Sequence, residues 1–278
     1  MAANALAKTL KSLHIPSKPI VFANIWDLAS ANAILSLNSA TDTPVKAVAT
    51  ASWAIAATLG IQDQELTLEQ NLDAIRKIAP AVTKAGLPLS VDLQDGYGSR
   101  IEEAVAAAVK AGAHGANIED SIPSAGYDKG ISGSLYPLED QVQRLKSALK
   151  AAADAGCPDF TLNARTDVFI LGDSPDLNDE TRLGEAVKRG KAYLEAGATT
   201  VFVWGLPPRG LRDAEIQTLV KEFDGRLAVI LHGKSAADMA KMGVARISVG
   251  PKLFRGAMET LKKSALTMLR GGELQVHI

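Results

Sequence analysis

Two carboxylates and a guanidinium stand at matching points of three successive short segments. The first segment is "SVDLQDGYG" (90–98), where Asp92 closes an apolar run and Asp95 follows it. The second, "GANIEDS" (115–121), brings Glu119, and the third, "LNARTDVF" (162–169), brings Arg165. A buried carboxylate is costly unless it is paired or bound to a metal. Oxygen donors with few histidines or cysteines nearby suit a hard cation, Mg²⁺ or Mn²⁺. The planar fork of Arg165 suits a carboxylate. A cation and a guanidinium side by side make a site for a small oxyacid. The competing structural reading is an ion-pair network in which Arg165 neutralises Asp92 and Glu119.

Something must bring these residues to one place. Short β-branched runs alternate eight times with helical patterns. The candidate strands are 19–25, 45–50, 87–93, 115–120, 160–166, 199–205, 227–233 and 245–250. The helices between them, such as "RIEEAVAAAVKAG", close on glycine, which takes the left-handed position past a helix end at least cost. The strands are apolar on both faces, as parallel strands covered by helices must be. Eight such units in about 250 residues predict a single (β/α)8 barrel domain over 1–278, preceded by a short N-terminal helix. An open doubly wound sheet is the runner-up, but no glycine-rich dinucleotide fingerprint follows the first strand. Barrel chemistry sits at the C-terminal strand ends. There the polar residues gather: Asn24 and Asp27, Thr50 and Ser52, Asp92, Gln94 and Asp95, Asn117, Glu119 and Asp120, Asn163, Arg165 and Asp167, then Trp204, His232 and Ser248. The opposite ends are apolar and small.

The remaining features are weaker. The insert "SIPSAGYDKGISGSLYP" (121–137) is rich in Gly and Ser and long for a βα loop, so it reads equally as a lid or a plain surface loop. Cys157 and His114 fall at the far end of the barrel and read as packed, structural residues. His14 and His277 read as solvated near the termini. Trp53 and Trp204 either wall a pocket or fill the top layer. "GPKLFRG" follows strand eight, where many barrels bind phosphate, and alone is a weak signal. A net charge of −1 argues against nucleic acid or an anionic membrane as the main partner. No run of eighteen apolar residues predicts a membrane span. A lone cysteine and no clear secretory signal point to a reducing compartment, the cytoplasm, with a mitochondrial or peroxisomal address left open.

"VDLQDGYG", "GANIEDS" and "LNARTDVF", on strands three, four and five in that order, resemble the isocitrate lyase/phosphoenolpyruvate mutase superfamily. The likeness extends through "FANIWDLASANAI", "TASWAIAATLGIQD" and "GVARISVGPKLFRGAM", most of the chain. It implies a Mg²⁺-dependent barrel that makes or breaks C–C or P–C bonds of 2-oxo or enol carboxylates through an enolate-like intermediate. It also implies a homodimer or homotetramer whose C-terminal helix is exchanged between subunits. Matched motif by motif, Asp92 is the metal aspartate, Glu119 holds metal-bound water, Arg165 binds substrate, and Asp63 is the aspartate after the strand-two loop. The backbone at Ala51 and Ser52 matches the loop that receives the substrate carboxylate. The resulting set is Arg165, Glu119 and Asp63 for catalysis, Thr50, Ala51, Ser52, Trp53, Asn163, Arg165 and His232 for substrate, and Asp92, Gln94, Asp95 and Glu119 for the metal. Two departures stand out. Gln94 replaces the motif's second aspartate, with Asp95 one place later. The Lys-Lys-Cys-Gly-His loop of the isocitrate and methylisocitrate lyases is missing from 121–137, which argues against those two activities. The expected reaction is C–C cleavage of a small 2-oxo or 2-hydroxy acid. Its alternatives are a phosphonopyruvate hydrolase or mutase and a barrel that binds an oxyacid without turnover.

Overall fold

The computed structural model describes residues 3–172, 177–205 and 209–274. Its strands are β1 Ile20–Val21, β2 Asn24–Ile25, β3 Val48–Thr50, β4 Leu89–Asp92, β5 Gly115–Glu119, β6 Thr161–Thr166, β7 Thr200–Val203, β8 Leu227–Ile230 and β9 Arg246–Ser248. Its helices are α1 Ala3–Ser12, α2 Leu28–Leu35, α3 Ser52–Thr58, α4 Leu68–Lys84, α5 Ile101–Ala111, α6 Gly130–Ser134, α7 Leu138–Asp154, α8 Asp179–Glu195, α9 Asp213–Glu222, α10 Ala236–Lys241 and α11 Lys252–Leu269. All strand pairings are parallel. The first candidate strand is split: β1 pairs with β9, and β2, a few residues on, pairs with β3. That one stretch therefore closes the ring, and the (β/α)8 barrel is the observed fold.

Burial explains the pattern. Every residue of β3, β5, β6, β7 and β9 is buried, because side chains facing in fill the barrel and those facing out meet helices. Helix α4 buries Leu68, Leu72, Ile75, Ile78, Ala79 and Val82, one stripe at helical spacing, and starts from a reciprocal Thr67–Gln70 cap. Helix α1 plugs the barrel floor: Leu10 is fully buried with Ile20, Phe22, Ala47 and Ala49. Gly115 permits that approach, since a Cβ there would lie 2.5 Å from the Thr161 carbonyl and 2.9 Å from Leu10.

The floor corrects one expectation. His14 is not solvated: its Nδ1 lies 2.8 Å from the Leu10 carbonyl and its Nε2 3.4 Å from Arg246. Burial, then the Arg246 charge, pushes its pKa down to about 3. His277 lies outside the described residues. His114 and Cys157 are buried at the far end as expected, and the His114 ring accepts the Leu89 N–H at 3.0 Å.

Segment 121–137 is an ordered excursion. Ser121 and Leu135 bridge its two ends. Leu135, Val168, Leu171 and Leu177 form a small core beneath it, with Tyr127 and Ile131 packed on top. At the other extreme, α11 buries none of its residues, and Leu261, Leu266, Met268 and Leu269 are exposed. No described helix is long and apolar enough to cross a membrane.

Candidate active site

Strand register builds the site in two layers. Asp92 pairs with Asn117, Asn117 with Asn163, and Asn163 with Thr200 across four neighbouring strands. Their side chains form a relay: Thr200 Oγ1 donates to Asn163 at 2.7 Å, Asn163 to Asn117 at 3.0 Å, and Asn117 to Asp92 Oδ1 at 3.2 Å. The other oxygen, Oδ2, accepts the Ser52 N–H at 3.1 Å and the Ser52 hydroxyl at 3.0 Å. Asp92 is thus held by neutral donors, and no described cation pairs with it.

The upper layer pairs Glu119 with Arg165. Arg165 Nη1 meets Glu119 at 2.8 Å, while Nε and Nη2 grip Asp167 at 2.5 and 2.9 Å. Its guanidinium lies 3.5 Å from the Trp204 ring centroid. Burial alone would lower the Arg165 pKa, but Asp167 and Glu119 overcome it and hold it above the ordinary value. Burial pushes Glu119 well above the usual carboxylate range against the pull of Arg165. Asp63 is raised by burial and then by the Asp92 charge.

These residues face one cavity of about 360 Å³ at the C-terminal strand ends. Thr50, Ala51, Ser52 and Trp53 line one side, and Asp63, Asp92, Gln94, Glu119 and Arg165 line another. A hard cation takes one or two carboxylates and keeps several waters. An Asp92 without a counter-ion fits that pattern, with Glu119 near enough in register to hold water. Among the described residues, no group of three His, Cys, Asp or Glu side chains is arranged to hold a metal ion.

Several expected contacts fall elsewhere. Asp95 does not line the cavity. Its carboxylate folds under its own turn, accepting the Tyr97 and Gly98 N–H groups at 2.9 and 3.0 Å and the Tyr136 hydroxyl at 2.7 Å, with Arg144 at 3.6 Å. Asn163 is in the relay beneath the cavity and does not line it. His232 is exposed on the rim because β8 ends at Ile230, two residues before it. Ala51 N–H is committed to the Ile25 carbonyl and Ser52 N–H to Asp92, so neither is open to a substrate carboxylate in this state. The partners of Arg165 are Glu119 and Asp167, not Asp92.

Gln94 adopts a left-handed backbone (φ 52°) and donates its amide to the Asp63 carboxylate at 2.9 Å. An aspartate there would set two carboxylates against each other, and glutamine turns that repulsion into a hydrogen bond. The sequence reading did not single out Tyr127 and Pro123 of the 121–137 segment, which line the cavity, as do Lys252 and Arg255 of the "GPKLFRG" stretch at the start of α11. It placed Asp167 at the end of strand five without its clamp on Arg165, although position 167 lies two residues beyond Arg165, on the same face of an extended chain.

The comparisons agree with this geometry. The family model described as phosphoenolpyruvate phosphomutase matches residues 10–269. The 2-methylisocitrate lyase of Escherichia coli K12 is 33% identical over 151 residues, 53% of this chain and 46% of that protein. An oxaloacetate decarboxylase of Rhodopseudomonas palustris BisB5 is 32% identical over 166 residues, 59% of this chain and 52% of that protein. Each match therefore spans about half the relative's length. A solved Burkholderia cenocepacia J2315 protein, provisionally named a phosphonomutase, superposes with a TM-score of 0.81 at 33% identity, covering 97% of this chain and 100% of its own. The superfamily's members include lyases, decarboxylases, hydrolases and mutases of small carboxylic acids. With the barrel, the strand-end carboxylates and the family match in agreement, the chain belongs to the phosphoenolpyruvate phosphomutase family of the isocitrate lyase/phosphoenolpyruvate mutase superfamily.

Proposed function

We propose that this chain is a Mg²⁺- or Mn²⁺-dependent enzyme that cleaves a C–C bond of a small 2-oxo or 2-hydroxy carboxylic acid through an enolate-like intermediate. The observation that carries this reading is the pairing of unlike charges in one cavity: Asp92, with no described cation in ion-pair contact, beside an Arg165 anchored on two carboxylates. Asp92 would hold the cation directly, and Glu119 would hold its water. A bound divalent cation supplies Lewis-acid polarisation of a 2-oxo carboxylate. Arg165 commits three of its five N–H groups to Asp167 and Glu119, which leaves two for a substrate carboxylate and for charge developing on the oxo oxygen. Asp167 keeps that guanidinium in place during reaction. Asp63, held by Gln94 and raised in pKa, would exchange a proton with substrate or water. Tyr127 and Pro123 reach the cavity from 121–137, which supports a lid role for that segment.

Relatives named for C–C chemistry match at 29–33% identity over 151–166 residues, and a Streptomyces hygroscopicus phosphoenolpyruvate phosphomutase and a Variovorax phosphonopyruvate hydrolase at 26–27% over 195–220 residues. The P–C alternative is separated by one assay: the favoured reading gives pyruvate or another 2-oxo acid from a C–C substrate such as oxaloacetate, and no phosphate from phosphonopyruvate. Phosphate release with no C–C product would reverse the choice. A barrel that binds without turnover would show oxalate-induced thermal stabilisation and no product in either assay. The unburied apolar side chains of α11 support exchange of that helix in a homodimer or homotetramer. The lone, buried Cys157 supports the cytoplasm as the compartment.

A further inference from the structure

Arg246 is 2% exposed, and no described carboxylate lies within ion-pair distance of it. Its neighbours are neutral. Nη2 donates to Ser90 Oγ at 3.2 Å, Nη1 lies 3.4 Å from His14 Nε2, the Phe22 ring centroid lies 4.4 Å from the guanidinium carbon, and Nε has no partner. His14 Nδ1 faces a carbonyl and so carries the proton, leaving Nε2 to accept from Arg246. Burial pushes the Arg246 pKa down to about 9, and the Asp92 charge, beyond ion-pair distance, offsets only part of that. Burying a cation of this kind works against folding unless something repays it. An apolar side chain would satisfy the fold better.

The position explains the exception. Arg246 lines the same cavity as Asp92 and Arg165. Ser90, to which it donates, precedes Asp92 by two residues on β4, about 6.6 Å at roughly 3.3 Å per residue. Ala49 and Ser90 are small and leave the cavity open at this level. The upper layer has its charges matched, Arg165 against Glu119 and Asp167. The floor cation has only the Asp92 charge, beyond ion-pair distance, to offset it.

We propose that Arg246, with the Ser90 hydroxyl, forms an anion subsite at the cavity floor that receives the distal carboxylate of a dicarboxylic substrate whose 2-oxo or 2-hydroxy acid end lies at the Asp92–Arg165 level. This rests on the oxyacid reading of the cavity and narrows it: the substrate is a diacid of about four carbons, held upright in the barrel. A monoacid of the same length would leave the guanidinium unmatched.

The test uses two acids of equal length, malate and 2-hydroxybutyrate, which differ in a distal carboxylate against a methyl group. Calorimetric titration is done on the full chain with Mg²⁺ present. The wild type should bind malate at least about tenfold tighter, as one charge-assisted contact allows. Arg246→Met should reduce that preference to within about threefold, leave 2-hydroxybutyrate affinity unchanged, and melt no lower than wild type, because it removes an unmatched buried charge. Arg246→Lys, which keeps the charge and loses the fork, should fall between the two and covers the case of a poorly folding methionine variant. Equal wild-type affinity for both acids would overturn the subsite alone. An equal loss for both acids in Arg246→Met would also overturn it, showing that the charge acts on Asp92 rather than on a ligand. Failure of both acids to bind the wild type would sink the oxyacid reading and the subsite together.

Discussion

Asp92 and Asp95 come from one turn, three residues apart, and have opposite fates. Asp92 ends β4 facing the cavity, and its oxygens accept from a serine and an asparagine. Asp95 lies past the strand end, 3% exposed, and accepts two backbone N–H groups and a tyrosine hydroxyl with Arg144 alongside. One carboxylate is positioned toward the cavity with no described cation in ion-pair contact. The other closes the turn that positions it. A carboxylate saturated by protein donors has little left for a cation, whereas one held only by neutral groups still has its charge to share. The contrast separates chemistry from scaffolding within a single motif.

The widest gap should appear on removing each in turn. Asp92→Ala should lower turnover by about three decades or more, roughly 4 kcal/mol, with little change in melting temperature. Steady-state kinetics beside a thermal melt would show it, and a variant with near-normal turnover would break the contrast. Arg165→Lys should cost about two to three decades in kcat/KM, on the order of 2–4 kcal/mol, because lysine keeps the charge and loses the fork that grips Asp167 and the substrate together. If Arg165 were only a charge balancer, lysine would keep most of the activity and alanine would chiefly lower the melting temperature. Asp95→Asn should do the reverse of Asp92→Ala: a loss of about 1–3 kcal/mol in denaturant unfolding, with turnover held within a few-fold. The smallest effect concerns the floor. His14 has a depressed folded pKa of about 3 against an ordinary 6.5, so its stabilising contribution is present above pH 6.5 and is lost as pH falls toward 3. His14→Gln should flatten that part of the stability curve by about 1 kcal/mol or more, measured as unfolding midpoints between pH 7 and pH 4. Parallel curves for the two proteins would remove His14 from the account.

The legible parts of the sequence were those written in a period. Alternation of buried runs and amphipathic helices specified the barrel, and strand ends located Asp92, Glu119 and Arg165 on one cavity. What followed the strands was harder to read. Asp95 and His232 sit three and two residues beyond a strand end, where turn geometry and not the two-residue repeat decides direction. Gln94 turns toward Asp63 through a left-handed backbone that nothing in its residue type announces. Tyr127 enters the cavity from an aperiodic segment whose small core involves residues about 40 positions downstream. Arg246 reads as one polar residue in the strand "ARISVG", and only the closed ring shows that it points at the floor of the same cavity.

The central claim is that Asp92 holds the cation and Asp95 does not. Mn²⁺ binding, followed by electron paramagnetic resonance of the free ion, tests it on three proteins: wild type, Asp92→Asn and Asp95→Asn. The account predicts one site in wild type, affinity weakened by about a hundredfold or more in Asp92→Asn, and affinity within about threefold of wild type in Asp95→Asn. Unchanged Mn²⁺ affinity in Asp92→Asn, or its loss in a folded Asp95→Asn, would contradict it.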